Sequence, residues 1–457
     1  MSPKKPVERL KVLCLKTVTS HLVEAARVCS EKDILSIGKY YEKIPGIIGD
    51  DLLLSVLDIN PLSSQAKWII FNALNCCCSK FEARKVSPKY QEKFVEKLTN
   101  VLHLNLADAR VSSEVISEVI KRCRSLKSLV IPGLATDELL EVISSLNKLE
   151  FLDISGNTQV STESYDYINN QNLQILSIGV PLTRSLTNSS TEDYHILVKL
   201  MFQLPNLREI RTYNYTGQAI FTIKPPLVSN LQSISDCFTS RQGLETIIAV
   251  CPCLRELTLD DPEPDIFHQL EQLPHLKKLK LRRFCGSLSE VYLKKLTLDV
   301  LQVQNVNLDM ENICITLHTL SLKHCLLIDS SYKPTMFKNL RVLELVDCDI
   351  NKEVVLSFFK HCDMLQRFAS SSDLDLTDED LKTVCEMGCL KYLEEFWLSL
   401  ARNLSSDSVI LLMNHCDKLR LVGTLNGWNM EKVDVNYLRC VIYLTNTMLN
   451  LIYFCGF

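Results

Sequence analysis

Hydrophobic residues recur along the chain in a short alternating pattern, Leu-x-x-Leu-x-Leu, with conservative replacements. Clear examples are LEFLDISGN, LRELTLDD, LKKLKLRR, LHTLSLKHC and LRVLELVDC. Alternation with a period of two is typical of a strand that buries one face, so each segment predicts a short strand. The first apolar residues of the fourteen segments are Val101, Leu126, Leu149, Leu173, Leu207, Leu231, Leu254, Leu276, Leu298, Leu317, Leu340, Leu365, Leu393 and Leu419.

The spacing of these segments predicts how the strands are connected. Most steps from one segment to the next are between 19 and 28 residues long, which is the period of a leucine-rich repeat. One longer step, from Leu173 to Leu207, indicates an insertion. Between strands the chain is expected to return as a helix, since SSEVISEVIKRC and NKEVVLSFFKHC have helical spacing. The sequence therefore predicts an α/β solenoid, a leucine-rich-repeat horseshoe preceded by an N-terminal helical segment.

Four segments follow from this pattern. Residues 1–60 form a helical segment, 61–100 a helical N-terminal cap, 101–434 the leucine-rich repeats, and 435–457 an apolar tail or an incomplete last repeat. The tail is long enough to suggest a membrane anchor, because about 20 apolar residues span a bilayer. Arg439, Asn446 and Asn450 oppose this, since charge inside a bilayer is costly. A last repeat is the favoured interpretation.

Composition narrows the class of protein. Of the 457 residues, 46% are hydrophobic and 23% are charged, which is normal for a soluble globular protein. The formal net charge of −4 gives no reason to expect nucleic acid as a partner. No secretory signal follows the N-terminal MSPKKPVERL, so the 19 cysteines are expected to be reduced in a cytoplasmic and/or nuclear protein.

The cysteines are predicted to pack in the core rather than to bind metal. Three residues before the strand leucine, five repeats have a cysteine where others have leucine or phenylalanine: Cys123, Cys251, Cys314, Cys362 and Cys416. The neighbouring histidines, such as His361, lie in separate repeats, and no close C-x-x-C pair is present. The sequence also has no phosphate-binding loop, H-E-x-x-H or G-x-S-x-G. We therefore expect no cofactor, no metal and no catalytic activity.

Binding is then the expected function, and the strand face offers a surface for it. Because strand side chains alternate, the third, fifth and seventh positions of each segment should point away from the core. An acidic strand with Glu256, Thr258 and Asp260 thus lies next to a basic one. Trp, Tyr and Arg are the residue types that anchor protein interfaces. The candidate substrate-binding residues are Arg211, Tyr213, Lys278, Lys280, Arg282 and Trp397, and for Trp397 coverage by the last repeats is an equal alternative.

Two apolar patterns precede the repeats. VERLKVLCLKTVTSHL places Leu10, Cys14 and Val18 on one helical face, with Leu22 one turn further along. EKIPGIIGDDLLLSVL has the order apolar-Pro-x-x-apolar-x-x-x-apolar. Together these patterns resemble the VHL box of substrate receptors for elongin B/C–cullin-2 ubiquitin ligases.

The resemblance implies a role for each matching residue. Leu10, Cys14, Val18 and Leu22 would contact elongin C. The second pattern would contact cullin-2 through Ile44, Pro45, Ile48 and Leu52. A VHL box followed by leucine-rich repeats is most similar to the zyg-eleven and zer-one receptors, which also have armadillo repeats; none follows here. The alternatives are a short relative of that family and a truncated form.

Two other interpretations stay open. The segment IPGIIGDDLLLSVLDINPLSSQAKWII also resembles an F-box, with Pro45 heading the first helix and Trp68 in the place of a late tryptophan. The adaptor would then be a Skp-type protein of a cullin-1 ligase. In the third interpretation the chain is a scaffold without ligase partners, and the N-terminal helices only cap the repeats. In all three the partner is a protein, and a membrane is not expected.

Overall fold

The computed structural model describes residues 10–28, 36, 39–41, 43–59, 62–74, 78–156, 160–179, 191–284, 293–309, 313, 316–328, 337–445 and 448–452. The chain divides into two compact units, an N-terminal unit up to Ile234 and a C-terminal unit from Ser235. Each unit is a series of parallel strands joined by helices or short irregular segments. Strand β7 spans the division, and the helices and strands of each unit are given in turn.

In the described part of the N-terminal unit, helices precede a parallel sheet. Its described helices are α1 (Leu10–Val28), α2 (Gly46–Leu57), α3 (Ser64–Leu74), α4 (Gln91–Val95), α5 (Ser113–Arg122), α6 (Asp137–Ile143), α7 (Thr191–Gln203) and α8 (Thr216–Ile223). Its strands are β1 (Lys80–Glu82), β2 (His103–Asn105), β3 (Ser128–Val130), β4 (Phe151–Asp153), β5 (Ile175–Ser177) and β6 (Glu209–Arg211), followed by β7 (Ser233–Cys237). Strands β1 to β6 pair in parallel in chain order.

The C-terminal unit repeats the same arrangement. Its described helices are α9 (Arg241–Val250), α10 (Lys352–His361), α11 (Asp378–Glu386), α12 (Ser406–His415) and α13 (Lys432–Leu444). Its strands are β8 (Glu256–Asp260), β9 (Lys278–Arg282), β10 (Val300–Gln304), β11 (Leu308–Asp309), β12 (Thr319–Lys323), β13 (Leu327–Ile328), β14 (Val342–Val346), β15 (Arg367–Ser370), β16 (Glu395–Leu398), β17 (Leu421–Gly423) and β18 (Asn450–Leu451). All pair in parallel, with β11 and β13 forming a separate two-stranded sheet.

The strand prediction from the hydrophobic pattern is confirmed. Each of the fourteen predicted segments contains a strand that begins two residues after its first apolar residue. Those first residues are at most 2% exposed, from Val101 to Leu419. The central strand residue, such as Leu129 or Leu152, is also buried. Within each unit the leucines of neighbouring repeats therefore stack into a layer, as expected for an α/β solenoid of leucine-rich repeats.

A repeated turn follows many of these strands. The residue after the strand has a positive φ angle at Asp261, Arg283, Asn305, His324 and Asp347. For the first four of these, the backbone N–H donates to a carbonyl of the next strand, at 2.8–2.9 Å. This hydrogen bond extends the strand ladder by one residue and offsets the cost of the left-handed conformation.

The return segments differ from the prediction in part of the C-terminal unit. The predicted helices appear as α5 and α10, and Asn351 caps α10 by accepting from the Glu353 N–H. Between β8 and β14, however, the described return segments contain no α-helix. A 3₁₀ helix, Pro264–Gln272, follows β8, and the short strands β11 and β13 follow β10 and β12.

The sheet begins before residue 101, the predicted first residue of the repeats. Strand β1 lies inside the predicted helical cap and pairs with β2. Its central Phe81 is 2% exposed and packs against Phe71 and Phe94, with ring centroids 5.9 and 6.4 Å apart. The segment KFE lacks the leucine pattern, so periodicity could not identify it.

At the other end of the chain, residues 435–457 include the rest of α13 and strand β18. Strand β18 pairs with β17, and Leu449 just before it is 5% exposed. A helix followed by a strand is the arrangement of a repeat. Within the described residues, no helix is long and apolar enough to cross a membrane.

A buried carboxylate connects the N-terminal helices to the sheet. Asp50 of α2 is 5% exposed and accepts hydrogen bonds from the backbone N–H groups of Ser79, at 2.7 Å, and Lys80, at 2.9 Å. The Ser79 hydroxyl donates to the same carboxylate. Because Lys80 is the first residue of β1, this contact fixes α2 against the first strand.

We expect Asp50→Ala to lower the free energy of unfolding by about 3 kcal/mol, because two backbone N–H groups and a hydroxyl lose a charged, buried acceptor. The neighbouring Asp51→Ala is the matched control. Asp51 forms a surface ion pair with Lys11, at 2.7 Å, and should contribute less than about 1 kcal/mol. Chemical denaturation and hydrogen exchange at the Ser79 and Lys80 amides measure both variants. Equal destabilisation by the two changes would contradict the anchoring role of Asp50.

Candidate functional site

An apolar groove lies between α1 and the segment that leads into α2. Its volume is about 350 Å³, and almost all of its wall is apolar. The lining side chains are Lys11, Cys14, Leu15, Val18, Tyr41, Ile44, Ile48 and Leu52. Lys11 is ion-paired with Asp51. This set is called the α1–α2 groove below.

The predicted elongin-contacting residues divide into two groups. Cys14 is exposed and Val18 is half-buried, and both line the groove. Leu22 is 5% exposed and packs in the core of the helical segment, and its contact with the adaptor stays a prediction. The helix turns Leu22 inward because α1 continues to Val28 and packs its second half against α2 and α3. Leu10 begins α1, and its side chain lies outside the described residues.

The predicted cullin-contacting residues show a similar division. Pro45 is exposed directly before α2, and Ile48 is 39% exposed. Ile44 is half-buried and lines the groove. Leu52 is only 2% exposed and forms part of the inner wall, and its contact with the cullin stays a prediction. Residues from both sequence patterns thus line one groove, which the spacing along the chain could not reveal.

Further exposed apolar side chains occur on the same two helices. Val12 and Leu13 of α1 are 37% and 44% exposed, and Ile47 of α2 is 72% exposed. They add to the apolar surface that these two helices expose.

Trp68, the residue that the F-box interpretation depends on, lies in the core. It is 6% exposed and packs against Phe71 and Phe94, with centroids 5.9 and 5.0 Å away. The ammonium group of Lys93 lies 4.3 Å from its ring centroid. Burial and aromatic packing account for a tryptophan at this position.

On the strand face of the N-terminal unit, one predicted binding residue is exposed and one is not. Arg211 is exposed, forms an ion pair with Glu209 at 2.8 Å, and lies 5.5 Å from the ring centroid of Phe151. Tyr213 is fully buried, so its prediction as a surface residue is wrong. Strand β6 ends at Arg211, and Thr212 has a φ of 61°, which breaks the alternation.

In the C-terminal unit the predicted acidic and basic strands neutralise each other in part. Lys278 and Lys280 both form ion pairs with Glu256, at 3.1 and 2.7 Å. Burial raises the pKa of Glu256, but hydrogen bonds from Lys280 and Lys278 outweigh burial and hold that pKa below its usual value. Thr258 is 8% exposed, so its predicted exposure is wrong. Arg282 is exposed, and no described carboxylate forms an ion pair with it.

Trp397 is half-buried on the same face. It is therefore neither fully exposed as a binding residue nor fully covered by the last repeats. Its indole N–H donates to Glu395 at 3.1 Å. Its ring lies over Gly423 of the next strand, where a β-carbon would approach the ring to 2.1 Å. One face of the ring is therefore covered by β17.

A small polar cleft between β9, β10 and β12 was missed by sequence reasoning. Its volume is about 190 Å³. Lys280 and Arg282 were predicted for this surface, whereas Gln302, Gln304, Ser321 and Lys323 were not. The signal was present: in the fifth and seventh positions of two further repeats, these residues are all polar. This set is called the basic cleft below.

Comparisons with known proteins concern the fold. The crystal structure of an internalin, InlF, from Listeria monocytogenes has a TM-score of 0.40 at 14% identity, covering 75% of this chain and 89% of that chain. The crystal structure of the Rad7 and Elc1 complex in yeast has a TM-score of 0.43 at 14% identity, covering 93% of this chain and 96% of that chain. The structure of a leucine-rich-repeat protein of Leptospira interrogans, LIC12759, has a TM-score of 0.39 at 15% identity, covering 79% of this chain and 92% of that chain. No protein-family model and no curated protein matches.

The chain has a leucine-rich-repeat fold. Fourteen parallel strands, each within a leucine-rich segment, decide this. Four of the five cysteines that stand in place of leucine or phenylalanine fit the fold as core residues: Cys123, Cys251, Cys362 and Cys416 are at most 2% exposed. Cys314 lies outside the described residues. Burial raises the pKa of Cys251 and of Cys362 to about 12, so both thiols stay protonated at neutral pH.

The histidine–cysteine neighbours also have a structural explanation. In α10, Cys362 ends the helix and points into the core, whereas His361 is directed back along the helix, with Nδ1 2.9 Å from the Ser357 carbonyl. His415 and Cys416 repeat this arrangement at the end of α12. Within the described part of the chain, no three His, Cys, Asp or Glu side chains are grouped to hold a metal ion.

Proposed function

We propose that this protein is the substrate-recognition subunit of a cullin-RING ubiquitin ligase. It docks through the N-terminal helices to elongin C, with elongin B, and to cullin-2, and it binds target proteins on the strand face of the repeats. The observation that carries the proposal is the α1–α2 groove. Cys14 and Val18 from one VHL-box-like pattern and Ile44 and Ile48 from the other line the same accessible apolar surface.

The chemistry of the groove suits a helical partner interface. Such interfaces bury apolar side chains at helical spacing in a groove of the partner. Each fully buried aliphatic side chain contributes about 1.5–3 kcal/mol. Asp50 holds α2 against β1, so the surface is pre-organised and less entropy is lost on binding. In this proposal the chain is a receptor without catalytic residues, and it works in the cytoplasm or the nucleus.

Co-purification identifies the adaptor directly. The full chain is expressed once with elongin B and elongin C and once with a Skp-type adaptor. We expect a stable complex with elongin B/C that recruits cullin-2. A complex with the Skp-type adaptor alone would establish the F-box alternative, and the absence of both complexes would favour the scaffold alternative.

A variant just before α2 separates the cullin contact from the adaptor contact. We expect Pro45→Asp to release cullin-2 but to retain elongin C, because Pro45 is exposed and does not line the α1–α2 groove, and a carboxylate in the cullin contact is costly to desolvate. Val433→Asp, at a 72% exposed position of α13, is the control and should retain both partners. Simultaneous loss of elongin C and cullin-2 would contradict separate contacts.

A further inference from the structure

The basic cleft has more positive charge than its surroundings neutralise. Nearby carboxylates already have cationic partners: Glu256 pairs with Lys278 and Lys280, and Asp260 accepts two hydrogen bonds from Arg283, both at 2.6 Å. In the described part of the chain, no carboxylate lies within 4.0 Å of the Arg282 guanidinium or the Lys323 ammonium group. Two exposed cations thus remain beside the cleft.

The acidic group on the other side of the cleft is also paired. Glu344 of β14 accepts a hydrogen bond from Ser321, at 3.1 Å, and lies 3.4 Å from Arg367. It therefore does not compensate Lys323. The local imbalance is a property of this surface alone, because the whole chain has a net charge of −4.

Two carboxamides lie between these cations. Gln304 is in register with Arg282 on one side and Lys323 on the other, and Gln302 is two residues before it on the same strand face. Both side chains are half-buried, and neither has a hydrogen-bond partner among the described residues. A carboxamide has two N–H donors, so the cleft has directed donors beside its charges.

The spacing of these groups matches an extended peptide. Neighbouring strands are about 4.8 Å apart, so the backbones at Arg282 and Lys323 are separated by roughly 10 Å. In an extended peptide, side chains on one face recur about every 6.6 Å. The long side chains of arginine and lysine cover the difference.

We propose that the basic cleft binds two carboxylates of an extended acidic peptide segment. Arg282 and Lys323 each hold one carboxylate, and Gln302 and Gln304 donate hydrogen bonds between them. That the segment belongs to a protein targeted for ubiquitination rests on the proposed function, whereas peptide binding itself needs no adaptor. Two unpaired cations beside three carboxylates suit a short acidic segment better than a nucleic acid, which requires many phosphate contacts.

Fluorescence anisotropy with the full chain tests the proposal. The probe is a labelled ten-residue peptide of alternating glutamate and serine, and the same peptide with glutamine in place of glutamate is its control. We expect Arg282→Gln and Lys323→Gln to weaken binding of the acidic peptide about tenfold each, or about 1.4 kcal/mol per change. The control pair Arg124→Gln and Lys148→Gln removes the same charge at exposed positions of the N-terminal unit and should leave binding unchanged.

A gain-of-binding variant distinguishes a site from a loss of fold. Glu256→Gln releases Lys278 and Lys280 from their ion pairs, so it should strengthen binding of the acidic peptide. Equal binding of the glutamine peptide, or no response to Glu256→Gln, would overturn the proposal. Displacement by inorganic phosphate at the peptide's own concentration would identify a small-anion site instead, and tighter binding of single-stranded DNA would identify a polyanion site.

The two proposals fail separately. Elongin C binding of the Arg282→Gln, Lys323→Gln variant is measured in parallel and is expected to equal that of the wild type. Loss of peptide binding with elongin binding intact concerns the basic cleft alone. A chain that binds the acidic peptide but no elongin C would leave the cleft established and overturn the ligase function.

Discussion

Replacing Cys14 by glutamate is expected to abolish the binding of elongin C. Cys14 is exposed on α1 and lines the α1–α2 groove, whose wall is almost entirely apolar. A docked partner would have to bury the new carboxylate without a counter-charge, and burying an unpaired charge costs several kcal/mol. Each 1.4 kcal/mol weakens the affinity tenfold, so we expect a loss of at least about a hundredfold. Isothermal titration with purified elongin B/C measures it.

The chain offers a matched control for this variant. Cys440 is an exposed cysteine on helix α13, and Cys440→Glu makes the same chemical change in the C-terminal unit. It should bind elongin C like the wild type. Circular dichroism should be unchanged for both variants, because glutamate is a good helix former and neither position is in the core. Undiminished elongin binding by Cys14→Glu would contradict docking through this groove.

The second large effect is expected on stability, from Gly427→Ala. A β-carbon at Gly427 would lie 1.7 Å from the carbonyl oxygen of Ser399 and 2.7 Å from its carbonyl carbon. Both are backbone atoms just after β16, so no side-chain rotation relieves the clash. The Gly427 carbonyl also accepts a hydrogen bond from the Ala401 N–H, at 3.0 Å. We expect the free energy of unfolding to fall by about 3 kcal/mol, the upper range for overpacking.

The local consequence should be measurable beside Gly427. The indole N–H of Trp428 donates to the Leu398 carbonyl at 2.9 Å, and its ring packs edge-on against Phe396. A displaced backbone at Gly427 should loosen this contact, so hydrogen exchange at the Ala401 amide and the Trp428 indole should accelerate along with the change in chemical denaturation.

Gly388→Ala serves as the control, since it adds the same methyl group where there is room. Nothing lies within 4 Å of a β-carbon there, but the φ of +74° is unfavourable for alanine. The cost should therefore be about 1 kcal/mol, the conformational part alone. If Gly427→Ala lowered the free energy of unfolding no more than Gly388→Ala, the close approach of the Ser399 backbone would not contribute to stability.

The sequence alone determined the repeat architecture. Alternation of apolar residues can be seen within one short segment. It predicts a strand without knowledge of the neighbouring strand. This is why all fourteen predicted strands are present and why Cys123 and Cys251 lie in the core as leucine substitutes. Strands β1 and β18 were not predicted, because these terminal strands have only three and two residues and lie outside the leucine-rich segments.

The direction of single side chains depended on the exact end of each strand. In the five-residue strand β9, the seventh position of the pattern, Arg282, still lies in the strand and is exposed. Strand β6 ends two residues earlier in the pattern, and Tyr213 after it is buried. The hydrogen bonds to the neighbouring strand set that end, and they are formed between residues far apart in sequence.

Tertiary structure alone decided how the candidate sites are composed. Helical spacing predicted which residues of α1 share a face, but not that Leu22 turns into the core while Cys14 stays exposed, because that depends on where α2 and α3 pack. Likewise the sequence presented Lys278, Lys280 and Arg282 as one basic strand. Ion pairing with Glu256 across the sheet neutralises the first two and leaves Arg282 available beside Lys323. Charges on adjacent strands meet only in the folded sheet, so their balance is a property of the strand register rather than of the sequence pattern.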